Sequence, residues 1–248
     1  MSKLVLEQQI PPTYNRADFV QIIRSLCNQV NPLSEGRLFG RYAALTAAPT
    51  AGSFARGDIV WNSAPSSGGP VGWICVASGT PGTFYQIGGM PVVGTEVAST
   101  SGTAIDFTGI PAWVTQIELP FDTVSTNGTS AWTVQIGDSG GIETSGYTSA
   151  STVLQSGAAV SLTAGGGAGY DLNNAMGAAD TLTGVVTLTL EDQVNNVWFM
   201  TCIAFRVGTS QVHISVGRKA LSAALDRVRF TTVGGDTFDA GALNIRTS

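Results

Sequence analysis

Positive charge is scarce in this chain of 248 residues, which has 12 Lys and Arg against 17 Asp and Glu and a formal net charge of −5. No Lys or Arg lies between Gly57 and Phe205. Proteins that bind nucleic acids neutralise the phosphates with clustered cations. The sequence therefore predicts that nucleic acid is not a partner, and it favours neutral polar ligands or protein neighbours.

Long apolar runs and cysteine pairs are also missing. No stretch of about 18 apolar residues is present, so we expect no membrane insertion, and the first residues, MSKLVLEQQIPP, lack the apolar core of a secretory signal. Cys27, Cys75 and Cys202 are far apart and have no metal-ligand spacing. This predicts reduced, mostly buried thiols in a protein made in a cytoplasm, with no metal and no cofactor.

Histidine is limited to His213, which restricts the catalytic arrangements available. Residues 137–141 spell GDSGG, the segment around the nucleophile of trypsin-like serine proteases. A serine nucleophile needs a histidine base within reach and a carboxylate that orients it. In those proteases both precede the serine, whereas His213 follows Ser139. The fragment is better interpreted as a glycine-permitted turn, and His213 as a residue of an alternating strand.

Paired carboxylates and a phosphate loop are not recognisable either. Glycoside hydrolysis needs two carboxyl groups about 5–9.5 Å apart, but the candidate carboxylates are scattered among turns: Asp106, Asp122, Asp138, Glu143, Asp171 and Asp180. Residues 165–169 (GGGAG) lack the Lys-Ser/Thr of a phosphate loop. We therefore expect no catalytic residue and no enzyme activity.

Glycine is abundant, with 31 residues, and short runs of alternating apolar residues recur. Two such runs, residues 113–121 and 131–136, flank a Ser/Thr/Asn/Gly segment at 125–130. Period-two alternation predicts half-buried antiparallel strands, and Asn127-Gly128 between them is a hairpin signal. The stretch 101–141 is therefore predicted to be the hairpin around which the rest of the chain is organised.

Eight to ten strands are predicted between residues 101 and 248, which favours a two-sheet antiparallel β-sandwich, most simply a jelly roll. Residues 198–207 (WFMTCIAFRV) are apolar at nearly every position and are expected to form a central strand. Near the C-terminus, the charges of 226–229 and 236–239 either pair within the chain or form ion pairs across a subunit boundary.

The first 45 residues are expected to serve attachment and oligomerisation. Asn15 is a candidate N-cap, and apolar residues follow at helical spacing on a helix of about 16–30 that ends before Pro32: Phe19, Ile22, Ile23, Leu26, Cys27 and Val30. The stripe either packs on its own domain or forms a short bundle between identical subunits. So short a helix is marginal alone, and we favour the bundle because the stripe is continuous and no other helix is predicted nearby to cover it.

Residues 54–89 are predicted to form a small β connector unit of three strands, followed by a linker at 90–100. Trp61, Trp73 and Tyr85 could line a face on which a sugar ring stacks. The alternative is that they form the core of this unit, which has little else to bury.

Two sets of motifs resemble bacteriophage virion proteins. GDIVWN at 57–62, GWICV at 72–76 and GTPGTF at 79–84 resemble a segment of phage tail fibres and tailspikes that joins the attachment end to the distal domain. Residues 101–248 resemble the C-terminal domains of phage fibre and other virion proteins, through SGTAIDFTGIPAWV at 101–114, STNGTS at 125–130, QIGDSGGIETSGY at 135–147 and LSAALDRVRFTTVGGDTFDAGALNI at 221–245.

This resemblance implies a virion structural protein, most simply a tail fibre or spike subunit for host attachment, with a jelly roll at 101–248 as its outward tip. The implied partners are further copies of the chain, with a trimer favoured, other virion proteins at the N-terminal segment, and a glycan or protein of the host surface. The implied location is the virion, assembled in the bacterial cytoplasm. Two alternatives stay open: a head fibre or capsid decoration protein and, less favoured, a polysaccharide-degrading spike.

Overall fold

Short strands account for most of the regular structure in this computed structural model, which describes residues 19–24, 26–27, 42–66, 68–89, 91–155, 157, 161–165, 167–172 and 176–248. The chain divides into two compact units, Met1–Gly89 and Met90–Ser248. The predicted fold class is confirmed: the protein is mainly β, with largely antiparallel sheets arranged as a β-sandwich and a short helix near the N-terminus.

The first unit contains the helix and a four-stranded sheet. Residues 19–24 and 26–27 are helical (α1), within the predicted span of 16–30, whereas the proposed cap at Asn15 lies outside the described residues. The strands are β1 (Tyr42–Leu45), β2 (Ile59–Asn62), β3 (Pro70–Ala77) and β4 (Thr83–Gly88). They lie in the order β1-β2-β3-β4, with β1 parallel to β2 and the other pairs antiparallel.

The second unit consists of two sheets. The larger has ten strands: β5 (Val92–Val93), β6 (Val97–Ala98), β8 (Gln116–Thr126), β11 (Thr148–Gln155), β12 (Ser161–Gly165), β14 (Leu182–Asp192), β15 (Val197–Arg206), β16 (Gln211–Ala220), β18 (Phe238–Leu243) and β19 (Arg246–Thr247). The smaller has five: β7 (Ala104–Thr108), β9 (Trp132–Asp138), β10 (Gly141–Ile142), β13 (Tyr170–Asp171) and β17 (Arg227–Thr232). Their inner faces share one apolar core.

Aromatic rings from both sheets meet at the centre of this core. Phe230 on β17 lies 5.6 Å from Phe121 on β8, 5.8 Å from Trp132 on β9 and 5.8 Å from Phe238 on β18, measured between ring centroids. All four side chains are buried. Because β8 and β18 belong to the large sheet and β9 and β17 to the small one, this cluster holds the two layers together.

The predicted hairpin at 113–136 is wrong, although both of its strands exist. β8 pairs with β14, β18 and β19 in the large sheet, whereas β9 pairs with β10, β13 and β17 in the small one. The chain therefore crosses from one layer to the other between them. Each of the two strands has one apolar face. Packing these two faces against each other buries both of them, just as pairing the strands in a hairpin that packs on a third element would.

The crossing at 127–130 is held by a second loop and not by a tight turn. The backbone N–H of Ser130 donates to Oδ2 of Asp236 at 2.7 Å, and Asn127 exchanges hydrogen bonds with the Thr237 backbone through its N–H and its Oδ1, at 3.0 and 2.9 Å. A Cβ at Gly128 would lie 2.2 Å from the Asp236 carboxylate. Glycine is needed here for close approach of that carboxylate.

Residues 90–100, predicted to be a linker, contribute two short strands to the second unit. β5 pairs with β19 and β6 pairs with β18, so this segment joins the large sheet next to the two C-terminal strands of the chain. The partners are about 150 residues away in the sequence, which is why local composition indicated only a linker. β10 is only two residues long, and Tyr147 lies beyond it as a buried side chain.

Candidate functional site

Two of the three aromatic residues singled out in the first unit share one face of its sheet. In the register of β2, β3 and β4, Val60 lies opposite Trp73 and Trp73 opposite Gln86. Directly opposed residues point to the same face and their neighbours along the strand to the other. Trp61 and Tyr85 therefore lie on one face and Trp73 on the opposite one.

Exposure follows this division. The side chain of Trp73 is buried, whereas Trp61 is 40% and Tyr85 67% exposed. The expectation of a three-residue stacking face is corrected accordingly: Trp73 belongs to the buried side of the sheet, and only Trp61 and Tyr85 are accessible to a ligand.

The indole of Trp61 lies across Gly72 on the neighbouring strand. A Cβ at Gly72 would be 3.3 Å from Cε3 of Trp61 and 2.5 Å from the Val60 backbone oxygen. The absence of a side chain at this position lets the ring lie close to the sheet. Tyr85 is two strands away and two residues along, about 12 Å in strand geometry. The two aromatics thus form an open platform.

The GDSGG segment is a tight β-turn hairpin, as predicted. Gly141 pairs with Asp138 and Ile142 with Gly137, so that only Ser139 and Gly140 form the loop between β9 and β10. Oδ1 of Asp138 accepts from the Gly140 N–H at 2.7 Å, and Oδ2 accepts from the Ser222 hydroxyl at 2.5 Å. The Ser222 hydrogen bond is the main cause that lowers the pKa of Asp138.

A buried lysine lies in the polar network next to this hairpin. Lys219 on β16 is buried, forms an ion pair with Glu143, donates to the Ala220 oxygen at 2.6 Å and lies 5.5 Å from the centre of the Tyr147 ring. The other carboxylate oxygen of Glu143 accepts from the Ser222 N–H at 2.8 Å. The donors and acceptors satisfy one another, which suits a structural joint between β10 and the end of β16.

Sequence reasoning missed Lys219 and Ser222. The position of Lys219 along β16 could have indicated its burial. It lies on the same face of the strand as His213, Ser215 and Gly217, which all point inward and are buried. A lysine in a buried phase requires a partner. What the sequence did not contain was the identity of that partner, since Glu143 is 76 residues away.

The single histidine is remote from the GDSGG hairpin. His213 lies six residues from Lys219 along β16, about 20 Å in an extended strand. Its side chain is 4% exposed, and neither ring nitrogen has a hydrogen-bond partner among the described residues. Burial first, and then the Arg206 charge, lower the pKa of His213 below its ordinary value of 6.5. The described structure therefore does not bring a histidine base to Ser139.

The buried His213 predicts a pH dependence of stability. The unfolded chain takes up a proton near pH 6.5, whereas the folded chain resists it, so the free energy of unfolding should fall as the pH is lowered through 6.5. Between pH 7.5 and 5.5 we expect the His213→Leu variant to lose about 2 °C less in Tm than the wild type. Thermal unfolding followed by circular dichroism measures this, and parallel curves for the two proteins would contradict it.

Each of the six scattered carboxylates has a polar partner in the described structure, and Asp138 and Glu143 share one of them, Ser222. Asp106 binds Arg229, Asp122 accepts from Thr183, Asp138 from Ser222, Asp171 from Ser149, and Glu143 and Asp180 pair with Lys219 and Arg206. Near the C-terminus Arg229 binds Asp106 through two hydrogen bonds of 2.7 Å, and Arg227 binds Asp226. Pairing within the chain is thus observed for these arginines.

The helix stripe and the cysteines complete the predicted sites. Phe19, Ile23 and Leu26 are exposed and Ile22 is half-buried, whereas Val30 lies outside the described residues. Of the cysteines, Cys75 and Cys202 are buried and Cys27 is exposed. Burial raises the pKa of the Cys202 thiol to about 12.

Comparisons with known proteins returned no match. No family model, no curated protein and no solved structure matches this chain. The described helical residues include no segment long and apolar enough to cross a membrane, and no cluster of three or more His, Cys, Asp or Glu suited to a metal ion occurs among the residues described.

Proposed function

We propose that this chain is a non-catalytic attachment subunit of a bacteriophage virion, most simply of a tail fibre or spike, and that it contacts neutral glycans through Trp61 and Tyr85. The observation that carries the proposal is the exposed aromatic pair on one face of the small sheet, with the indole lying across Gly72. The virion assignment is supported by the sequence motifs at 57–84 and 101–245.

Aromatic platforms suit sugars because the apolar C–H faces of a pyranose pack on a ring while its hydroxyls stay in water. One platform supplies only a weak contact. Several identical subunits on one particle convert weak contacts into strong attachment, because later contacts form at high effective concentration. Attachment of this kind requires a stable fold that holds the platform, and it requires no catalytic group.

Electrostatics favour an uncharged glycan. The platform strands lie within the stretch from Gly57 to Phe205 that has no Lys or Arg, so an anionic polysaccharide would find little counter-charge from this stretch. Of the two sequence neighbours of Trp61, Val60 is buried and Asn62 donates to the Pro70 oxygen at 2.9 Å. Neither neighbour carries a charge.

Removal of either ring should weaken glycan binding. For Trp61→Ala and Tyr85→Ala we expect binding to an array of neutral oligosaccharides to fall about tenfold to a hundredfold, because each ring contributes on the order of 1–2 kcal/mol per contact and several copies act together. Trp61→Phe should retain most of the binding. Surface plasmon resonance of the full chain on the best array ligand measures the loss.

The matched control is Val194→Ala, because Val194 is 89% exposed in a loop of the other unit. Binding by this variant should equal that of the wild type. Retention of full binding by both alanine variants, or liberation of reducing ends from the glycan by the wild type, would refute the proposed function.

A further inference from the structure

One face of the large sheet leaves large apolar side chains open to solvent. The outer apolar face, as we name it, lies on β11, β14, β15 and β16, and six of its large side chains are between 36% and 60% exposed: Leu154, Phe199, Ile203, Phe205, Val212 and Val216. Residues 198–207 were expected to form a central strand. β15 is central in its sheet, but only its inner side, with Trp198, Met200, Cys202 and Ala204, is buried.

The register makes this face continuous. Phe205 lies opposite Val212, which in turn lies opposite Leu154 on β11. One step along, Ile203 is flanked by Ile214 on β16 and by Val185 on β14. Directly opposed side chains on a sheet are about 5 Å apart, so these residues form one patch across four strands and not isolated exposed side chains.

The area of the patch is that of an interface. At about 200 Å² for a fully exposed large apolar side chain, the six members together leave roughly 500 Å² of side-chain surface exposed. Soluble monomers rarely expose contiguous apolar patches above a few hundred Å². A stable association buries roughly 800 Å² on each partner, and the half-buried threonines and aliphatic residues between the six supply much of the remainder.

The charge at the border of the patch is balanced. Arg218 lies opposite Phe199 in the register and forms an ion pair with Glu191 at 3.1 Å, both side chains being more than half exposed. When the same face of a second copy packs against this one, each face therefore presents one positive and one negative charge, and neither sign is in excess. Chains with a net charge of −5 repel each other at long range, and this face adds no further local repulsion between like charges.

We propose that the outer apolar face packs against the same face of another copy of this chain, sheet on sheet. Stacked sheets pack about 10 Å apart with interleaved side chains, and Ile203, near the middle of the patch, would be among the first residues to be covered. This inference rests on the proposed function in one respect, the expectation that several copies of the chain assemble. It places part of the assembly in the second unit, independently of the helix stripe.

Thiol protection in the full chain tests this interface. In a Cys27→Ser background the remaining cysteines are buried, so the maleimide reaction reports an introduced thiol. We expect Val216→Cys to react about tenfold or more slowly at 100 µM protein than at 0.1 µM. Val233→Cys is the matched control, because Val233 is exposed directly after β17 of the small sheet, and its reactivity should not depend on concentration.

Adding Ile203→Asp to the Val216→Cys variant should abolish the protection, because a buried unpaired carboxylate weakens such an interface by about a hundredfold or more. Circular dichroism checks that the fold is retained, as expected for a residue 60% exposed. Sedimentation of Leu26→Asp, with and without Ile203→Asp, separates this interface from the helix stripe. In the Leu26→Asp variant association should persist, and in the double variant it should be lost.

The interface is refuted if Val216→Cys reacts at the same rate at both concentrations, or if its protection survives Ile203→Asp. A chain that is monomeric at 100 µM in the Leu26→Asp background would refute it as well, as would protection seen only with phosphatidylcholine vesicles, which would identify a lipid contact. Glycan binding through Trp61 is measured separately, so loss of one proposal leaves the other testable.

Discussion

Replacing Gly137 by alanine is expected to lower the free energy of unfolding by about 3 kcal/mol or more. A Cβ at this position would lie 2.1 Å from the backbone oxygen of Gly141 and 2.7 Å from Cα of Ile142. Both are backbone atoms of the paired strand β10, so neither can rotate away. The hairpin would have to separate, and with it the Asp138–Ser222 and Glu143–Lys219 contacts. Urea unfolding followed by tryptophan fluorescence measures the change.

The matched control is Ser139→Ala in the same pentapeptide. Ser139 is exposed in the two-residue loop, and we expect its replacement to change stability by less than about 0.5 kcal/mol. Neither protein should cleave peptides. If Gly137→Ala were as stable as the wild type, or if Ser139→Ala removed a measurable peptidase activity, the assignment of GDSGG to a structural turn would be wrong.

Truncation of Phe230 to alanine is expected to cost about 4 kcal/mol, because the ring is fully buried and leaves a cavity that its neighbours cannot fill. The ring contacts Phe121, Trp132 and Phe238 and so touches both sheets. The loss should appear as a lower urea midpoint with an unchanged slope.

Phe199→Ala makes the same chemical change on the outer face, where the ring is 41% exposed. Measured below 1 µM protein, so that association does not contribute, its cost should stay under about 1 kcal/mol. Equal costs for the two variants would show that the aromatic cluster does not join the layers.

The strands could be predicted because their signal is local. Residues 198–207 are recovered as β15 with a shift of one residue. Two-residue strands such as β5 and β19 were missed because so short a run carries no periodicity. Partner choice had no such signal. Asn127-Gly128 indicated a hairpin, but the loop containing Asp236, more than a hundred residues later, holds this segment in a crossing between layers.

The candidate site, too, has features that the sequence could predict and features that depend on strand pairing. That Trp61 and Tyr85 are aromatic residues in strands was readable, but their common face and the burial of Trp73 depend on the pairing of β2, β3 and β4. The composition of β15 indicated an apolar strand. Whether its second face is covered by the same chain depends on what the fold places above it, and Phe199, Ile203 and Phe205 are left exposed.

By itself, the sequence determined the β class, which residues of each long strand share a face, and the absence of a histidine base before Ser139. These properties depend on residues within a few positions of one another, because side chains alternate along a strand whatever its partner. The tertiary structure alone decided which sheet each strand joins, that Glu143 meets Lys219, and which apolar faces stay open to a ligand or another copy. Those outcomes depend on contacts between residues that are far apart in the sequence. Alternative pairings of such segments differ in free energy only once the whole chain is packed.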